Sequence, residues 1–384
     1  MIVSKVRVGF DAKRYFFNRS GLGNYSRSIV FALMKYTDDI LPVLITSKKP
    51  HRHWRESSIP DSELSKNGFI EAVSPKNKNV AWRTFGMGKF AGSQRLTAFH
   101  GLSNEMPVNL PSNIQKICTI HDVIFKDHPS HYSLFDRTVY NLKTKHAVKV
   151  SDTIVVTSRV TEQSLLKHYP KAAGKTQVIY QPIHPDFYLD KVGFPTPQTS
   201  YNLQHPYVIY HSTFNKRKNH IRLLEAYAQI RDQVDFHLVL VGIQGNTSKL
   251  VQEYISEFRL GHLVHVFDYV SQSELIGLCK SAKGFIYPSI SEGFGIPLAE
   301  AAACNIPMAI SRIPIFAELI GDNTGVLDFD PRSEQELIKA LIQLQNLITD
   351  REKGIDTQIQ MREAILDKVN PAEIARNLKH LYLK

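Results

Sequence analysis

Cysteine is scarce in this chain, and the three present, Cys118, Cys279 and Cys304, are an odd number with no paired metal-type spacing. Disulfide bridging and structural zinc are both read out on that ground, and all three read as small buried apolar residues. No apolar run reaches the ~18 residues needed to cross a bilayer. The stretch MIVSKVRVGF at residues 1–10 lacks the long apolar core of a secretory signal, so a cytoplasmic location is expected. Internal repeats and low-complexity segments are missing as well. Acidic residues are short in the first half only. Residues 1–200 carry 28 lysines and arginines against 15 aspartates and glutamates, whereas residues 201–384 carry 19 against 21, so the net charge of +11 arises entirely before residue 200. Such asymmetry points to an anionic surface or polymer beside the first half, membrane lipid or nucleic acid. The mixed basic and aromatic clusters KRYFF (13–17) and HRHWR (51–55) suit a lipid headgroup layer; ordinary solvated loops are the alternative.

What is present is enough for two domains: 384 residues, 43% of them hydrophobic. Short β-branched runs alternate with helical patterns, VRVGFDA, ILPVLIT, ICTIHDV, DTIVVTS and TQVIY in the first half, then YVIYHST, FHLVLVG, VHVFDYV, GFIYPS and IPMAIS. Alternation of this kind predicts an α/β fold with two parallel, doubly wound, Rossmann-like sheets facing each other across a cleft. The expected organisation is a first domain at 1–190, a Pro-rich linker at 191–206, a second domain at 207–368 and a final helix at 369–384 that packs back on the first.

In SEGFGIPLAEAAA (291–303), Pro297 suits a helix start. Gly293 and Gly295 allow positive φ and a close ligand approach, and the free N–H groups of Ile296 to Leu298 would form an anion site. Glu292 before the helix and Glu300 in its expected first turn would accept hydrogen bonds from sugar hydroxyls; an acidic helix start favoured by the dipole is the plainer alternative. Lys216, Arg217, Lys218 and Asn219 follow a predicted strand and can neutralise a diphosphate leaving group. Gly21 and Gly23 in NRSGLGNYSRS leave room for a ligand, but Ser26 stands where a dinucleotide fingerprint has its third glycine. His121 ends a strand and could donate to a sugar or phosphate, with Asp122 capping the next turn; His100 carries a weaker version of the same reading.

These stretches in this order, GFDAKRYFFNRSGLGNYSRSIVFAL, TIHDVIFKDHPSHYS, FNKRKNHIRLLEAY and YPSISEGFGIPLAEAAACNIPMAIS, resemble the retaining glycosyltransferases of family 4, with the GT-B fold, over nearly the whole chain. The resemblance implies a donor site on the second domain and an acceptor site on the first. Glu300 would bind the donor ribose and Glu292 the transferred sugar. Backbone amides of Phe294, Gly295, Ile296 and Leu298, beside Pro297, would hold sugar and phosphate. Lys218 and Arg217 would stabilise the diphosphate, Tyr269, Val270 and Ser271 would meet the base, Gly21 and Gly23 would lie near the phosphate, and His121 would match the active-site histidine. It also implies transfer with retention, without metal or other cofactor, by front-face attack, and closure of the domains about the linker. Asp328 and Asp330, the one Asp-x-Asp, precede a proline and read as a turn rather than a metal pair. One departure is that Ser212 and Thr213 occupy positions where many members have an arginine. The stretch TFNKRKN resembles the mannosyltransferase-like branch, which favours GDP-mannose over a UDP-sugar. The implied enzyme is a hexosyltransferase of bacterial surface polysaccharide biosynthesis, acting on a lipid-linked saccharide as a peripheral membrane protein and binding no nucleic acid. A GT-B epimerase or phosphorylase, or a non-catalytic partner subunit, is the alternative.

Overall fold

The computed structural model describes residues 5–18, 21–47, 69–74, 82–189, 193–242, 245–268, 270–322 and 326–384. The cluster at 51–55 and Tyr269 lie outside them. The chain divides into two compact units, the first made of residues 1–184 and 369–384, the second of residues 185–368.

The first unit is built on parallel strands β1 (Val6–Asp11), β2 (Ile40–Thr46), β3 (Ile70–Val73), β4 (Ala98–Gly101), β5 (Gln115–Ile120), β6 (Thr153–Val156) and β7 (Thr176–Val178). Their order across the sheet is β3-β2-β1-β4-β5-β6-β7. Strands such as Ile40–Thr46 are almost continuously apolar because helices cover both faces. One face packs Ile29, Val30 and Leu33 of the helix Gly21–Tyr36 against Leu378 and Leu381, and the other packs Ala147, Val148 and Leu165 over Cys118. Of the three cysteines read as buried apolar residues, Cys118 here and Cys279 in the second unit are buried, whereas Cys304 is only half-buried.

The second unit carries β8 (Tyr207–His211), β9 (His237–Val241), β10 (Val264–Phe267), β11 (Gly284–Tyr287), β12 (Met308–Ser311) and β13 (Leu327–Phe329), also parallel, in the order β10-β9-β8-β11-β12-β13. In both sheets the winding direction reverses beside the first strand, between β1 and β4 and between β8 and β11. Loops at the carboxyl ends of those strand pairs splay apart there, and crevices form. Part of the segment read as a linker is helical: Pro197 opens the short helix Pro197–Tyr201, Asn202 ends it at φ +53°, and the Tyr201 ring lies 4.5 Å from that of Phe267.

The helix Pro371–Tyr382 belongs to the first unit. Asn370 caps it by accepting from the amides of Ala372 and Glu373, and Pro371 fits the position behind the cap. Ile374, Leu378 and Leu381 recur at helical spacing and are buried. Lys379 pairs with Asp39 at 2.8 Å, and the Tyr382 hydroxyl meets His100 Nδ1 at 2.7 Å. Leu378→Ala is expected to cost about 2–5 kcal/mol, the range for emptying a buried leucine site. Urea unfolding followed by tryptophan fluorescence checks it, because both tryptophans, Trp54 and Trp82, belong to residues 1–184. An unchanged midpoint would show that the helix does not hold the first unit together.

Candidate functional site

The switch point of the second sheet gathers two loops. After β8 the chain runs through Ser212 to a single 3-10 turn, Lys216–Lys218, and Asn219 then takes φ +61° before the helix His220–Ile230. Asn219 tolerates this left-handed geometry, and its side-chain amide donates to the carbonyls of Pro288 (3.1 Å) and Pro331 (2.8 Å). After β11 the segment Pro288–Gly295 leads into the helix Ile296–Ala303. The loops are sewn together by the Ile290 amide donating to the Arg217 carbonyl at 2.9 Å, and by the Tyr210 hydroxyl, which reaches both the Lys218 carbonyl and Ser289 Oγ.

Between the loops lies Glu292. Lys218 Nζ donates to its Oε1 at 2.5 Å and Arg217 Nη1 to its Oε2 at 2.6 Å, while the same guanidinium also donates to the Ser291 carbonyl. Lys218 and Glu292 are buried, at 8% and 9% exposure. Burial alone would raise the Glu292 pKa, but Arg217 and Lys218 outweigh it and bring the value down to about 2. Two cations around one anion leave a local charge of +1. Lys218 Nζ also lies 5.7 Å from the centre of the Tyr287 ring, a cation–π contact that holds the ammonium in place. A hydrogen bond from the Ser289 side chain also favours the ionised carboxylate.

Gly295, at φ +106°, is the N-cap of the helix, and a Cβ there would stand 2.8 Å from the Phe316 ring. Gly293 is not among the positive-φ glycines. The helix starts one residue before Pro297. Glu300 is therefore its fifth residue and lies in the second turn, not the first as expected, because Ile296 already has helical geometry. The Leu298 amide, expected to be free, donates to the Gly295 carbonyl at 2.9 Å. Ser271 caps the helix Gln272–Ser281 in a reciprocal capping box with Glu274, so its side chain has a structural task of its own, with Val270 just ahead of it. Asp328 lies within β13 and pairs with Arg312, while Asp330, just past the strand, accepts from the Arg332 amide, so the turn read for this Asp-x-Asp holds for its second aspartate only.

His211, the last residue of β8, was not singled out from the sequence. Its Nε2 and Glu300 Oε2 are 2.6 Å apart, both side chains are buried, and Cys279 Sγ lies 3.8 Å from the other ring nitrogen. Burial holds the Cys279 thiol well above its usual range, so it remains a donor. The arrangement that gives both ring nitrogens of His211 a partner is S–H to Nδ1 and Nε2–H to carboxylate. His211 thus fixes one oxygen of Glu300 and leaves Oε1 without a partner among the described residues. A histidine at a strand end beside the switch point was the available signal.

The remaining candidates belong to the first unit. Gly23 is explained by the chain itself, since a Cβ would fall 1.9 Å from the Asn18 carbonyl oxygen, whereas Gly21 borders open space. His121 has both ring nitrogens engaged: Nε2 donates to the Leu102 carbonyl at 2.8 Å, and Nδ1 accepts from Gln181 at 2.9 Å. Burial lowers its pKa, consistent with that neutral tautomer, and a ligand would have to displace one of these partners to reach the ring. Asp122 accepts from the Ile124 amide as a local cap. His100 is not a ligand residue: it is fully buried, its nitrogens meet Tyr382 and Thr119, and burial brings its pKa down to about 3.

Residues 197–368 match the family model described as glycosyl transferases group 1. A relative in Salmonella typhimurium, the O-antigen chain mannosyltransferase RfbU, is 27% identical over 236 residues, which is 60% of this chain and 62% of that protein. The O-antigen chain mannosyltransferase B of Escherichia coli is 25% identical over 69% of each chain. Among solved structures, a glycosyltransferase from Rickettsia africae superposes with a TM-score of 0.69 at 18% identity, covering 99% of this chain and 98% of that one. The fold is that of the GT-B glycosyltransferases.

The depressed pKa sets a pH dependence. Because the folded value of about 2 lies below the ordinary 4.5, the ion pairs of Glu292 stabilise the protein above pH 4.5 and lose that contribution as pH falls towards 2. Glu292→Gln is expected to cost about 3 kcal/mol at neutral pH, a gap that narrows in urea titrations run at progressively lower pH. A gap that stays constant with pH would show that the two cations do not hold the carboxylate ionised.

Proposed function

We propose that this chain, whose residues 197–368 belong to the group 1 glycosyl transferases, transfers a mannosyl group from GDP-mannose, with retention and without a metal, to a lipid-linked saccharide in bacterial surface polysaccharide assembly. The observation that carries the reading is the clamp of Glu292 between Lys218 and Arg217 at the switch point of the second sheet. The mannosyltransferase relatives support the choice of sugar, and their O-antigen products support the class of pathway.

In this reading Lys218 and Arg217 face the diphosphate. The bond between the anomeric carbon and the β-phosphate oxygen breaks, and the departing oxygen gains negative charge that a preorganised net +1 stabilises. The acceptor hydroxyl forms the new bond from the same face, and its proton passes to the departing phosphate. Glu292 accepts from hydroxyls of the transferred sugar, and Glu300, aimed by His211, accepts from the ribose. The Gly295 turn lets the backbone come close to the ligand. Val270 lies next to the base. Binding and positioning then supply much of the acceleration. The proposed attachment is peripheral, at the cytoplasmic face; among the described residues no helix is long and apolar enough to cross a membrane.

A thermal-shift screen against GDP, UDP, ADP and their sugar conjugates tests the donor, since a ligand that binds only the folded state raises its melting temperature. GDP and GDP-mannose are expected to stabilise selectively. Glu300→Ala and His211→Leu are expected to remove most of that shift, and Lys218→Ala to lower kcat/KM about 10²–10³-fold, the usual effect of losing one preorganised electrostatic contact. Selective stabilisation by UDP would overturn the base assignment, and no shift with any nucleotide in a folded sample would overturn the reading as a whole.

A further inference from the structure

By count alone the cysteines read as unpaired, yet the structure brings two of the three together. Cys279 lies in the last turn of the helix Gln272–Ser281, and Cys304 caps the carboxyl end of the helix Ile296–Ala303. Their side chains hydrogen-bond to each other. Both also lie within electrostatic reach of the buried Tyr207 hydroxyl, which donates to the Leu278 carbonyl at 2.6 Å, a second sign that they share one place. We infer that Cys279 and Cys304 form a reversible disulfide when a peroxide reaches them, and that this bond weakens nucleotide binding through His211 and Glu300. The inference rests on the ribose role proposed above for Glu300.

The pair touches Glu300 by two routes. Through side chains, Cys279 Sγ is 3.8 Å from His211 Nδ1, and His211 Nε2 is 2.6 Å from Glu300 Oε2. Through the backbone, Glu300 and Cys304 stand at i and i+4 on one face of their helix, and the Cys304 amide donates to the Glu300 carbonyl at 3.2 Å. A bond between the sulfurs uses up the Cys279 hydrogen. Nδ1 is then a buried acceptor that has lost its donor, which is costly. The same bond is shorter than any hydrogen-bonded contact, so it draws the helix end beneath Glu300 towards Gln272–Ser281. Either change takes the carboxylate off its aim.

Cys304 is half-buried whereas Cys279 is buried, so an oxidant meets Cys304 first. Its thiolate attacks one peroxide oxygen: an S–O bond forms, the O–O bond breaks, and the hydroxide that leaves combines with the proton the thiol released. The Cys279 sulfur then attacks the Cys304 sulfur. The S–S bond forms, the S–O bond breaks, and the departing hydroxide becomes a second water with the Cys279 proton, which His211 Nδ1 is placed to carry. Two thiols lose two electrons and one peroxide is reduced to two waters. Burial, with Cys304 and Glu300 alongside, holds the Cys279 thiol protonated, which suits it to the second step, where a base adjoins it, rather than to the first. Cys118 is buried in the core of the first unit and takes part in neither step.

The test treats the full, reduced chain with hydrogen peroxide, maps its disulfides by peptide mass spectrometry, and titrates GDP and UDP calorimetrically before and after. The map should show Cys279 joined to Cys304 with Cys118 free. Whichever nucleotide the reduced chain binds should bind about tenfold more weakly after oxidation, the scale set by one buried acceptor left unpaired. Dithiothreitol should restore both the thiols and the affinity. Cys304→Ser should bind nucleotide as the unaltered chain does and keep that affinity through peroxide; the map and its reversal stand without this variant if it does not fold. No cross-link, a cross-link with unchanged affinity, or an equal loss of affinity in Cys304→Ser would overturn the inference. A reduced chain that binds neither nucleotide removes the transfer reading and the gating with it, while the map still decides the disulfide.

Discussion

A single buried carboxylate holds the second unit's loops in register. Glu292 receives Lys218 and Arg217 at 2.5 and 2.6 Å, and these residues come from loops that follow β8 and β11, separated by 74 and 75 positions in the chain. An unpaired charge at that depth would be costly, and each of the three groups is tolerable because the others are there. The backbone contacts around them, Ile290 to Arg217 and Asn219 to Pro288, depend on the same alignment. An ion pair strong enough to bring a carboxylate down to a pKa of about 2 also keeps the two cations from wandering. The placement that the proposed transfer asks of these cations and the stability of the loop pair are therefore the same interaction seen from two sides.

Much of this was legible in the sequence because the signals were local. Apolar β-branched runs gave ten of the strands, and Gly295 and Pro297 marked the start of one helix, to within a residue. The edge strands Ile70–Val73 and Leu327–Phe329 were not anticipated: they are short and carry Glu71 and Asp328, which break the apolar pattern. Long-range partnership was the other blind spot. Nothing in YVIYHST shows that His211 ends against Glu300, 89 positions later, and nothing in NKRKN shows that its cations will be shared with Glu292.

Histidines illustrate the same limit in the first unit. Tyr25, Thr119, His100 and Tyr382 form a buried hydrogen-bonded chain with links of 2.7 to 2.9 Å. The Tyr25 ring in turn meets His121 edge-on at 4.5 Å. From the sequence, a histidine at a strand end looks like a ligand residue, because that is where ligands lie. In the structure His100 is a tie between a strand and the final helix, and His121 is satisfied by Leu102 and Gln181. Position along the strand is readable in advance, whereas saturation of the ring is not.

The membership of residues 369–384 in the first unit bears on how the molecule is made. Synthesis runs from residue 1 onward, and 184 residues of the second unit, 185–368, separate the two parts of the first. At ~5–20 residues per second, translation of that insert takes about 10–40 s. During that interval the face of the helix Gly21–Tyr36 that receives Leu378 and Leu381 has no cover, and Asp39 no Lys379, while the whole of the second unit emerges as one uninterrupted piece. The two parts of the first unit's core are thus made at opposite ends of synthesis, with the whole of the second unit between them.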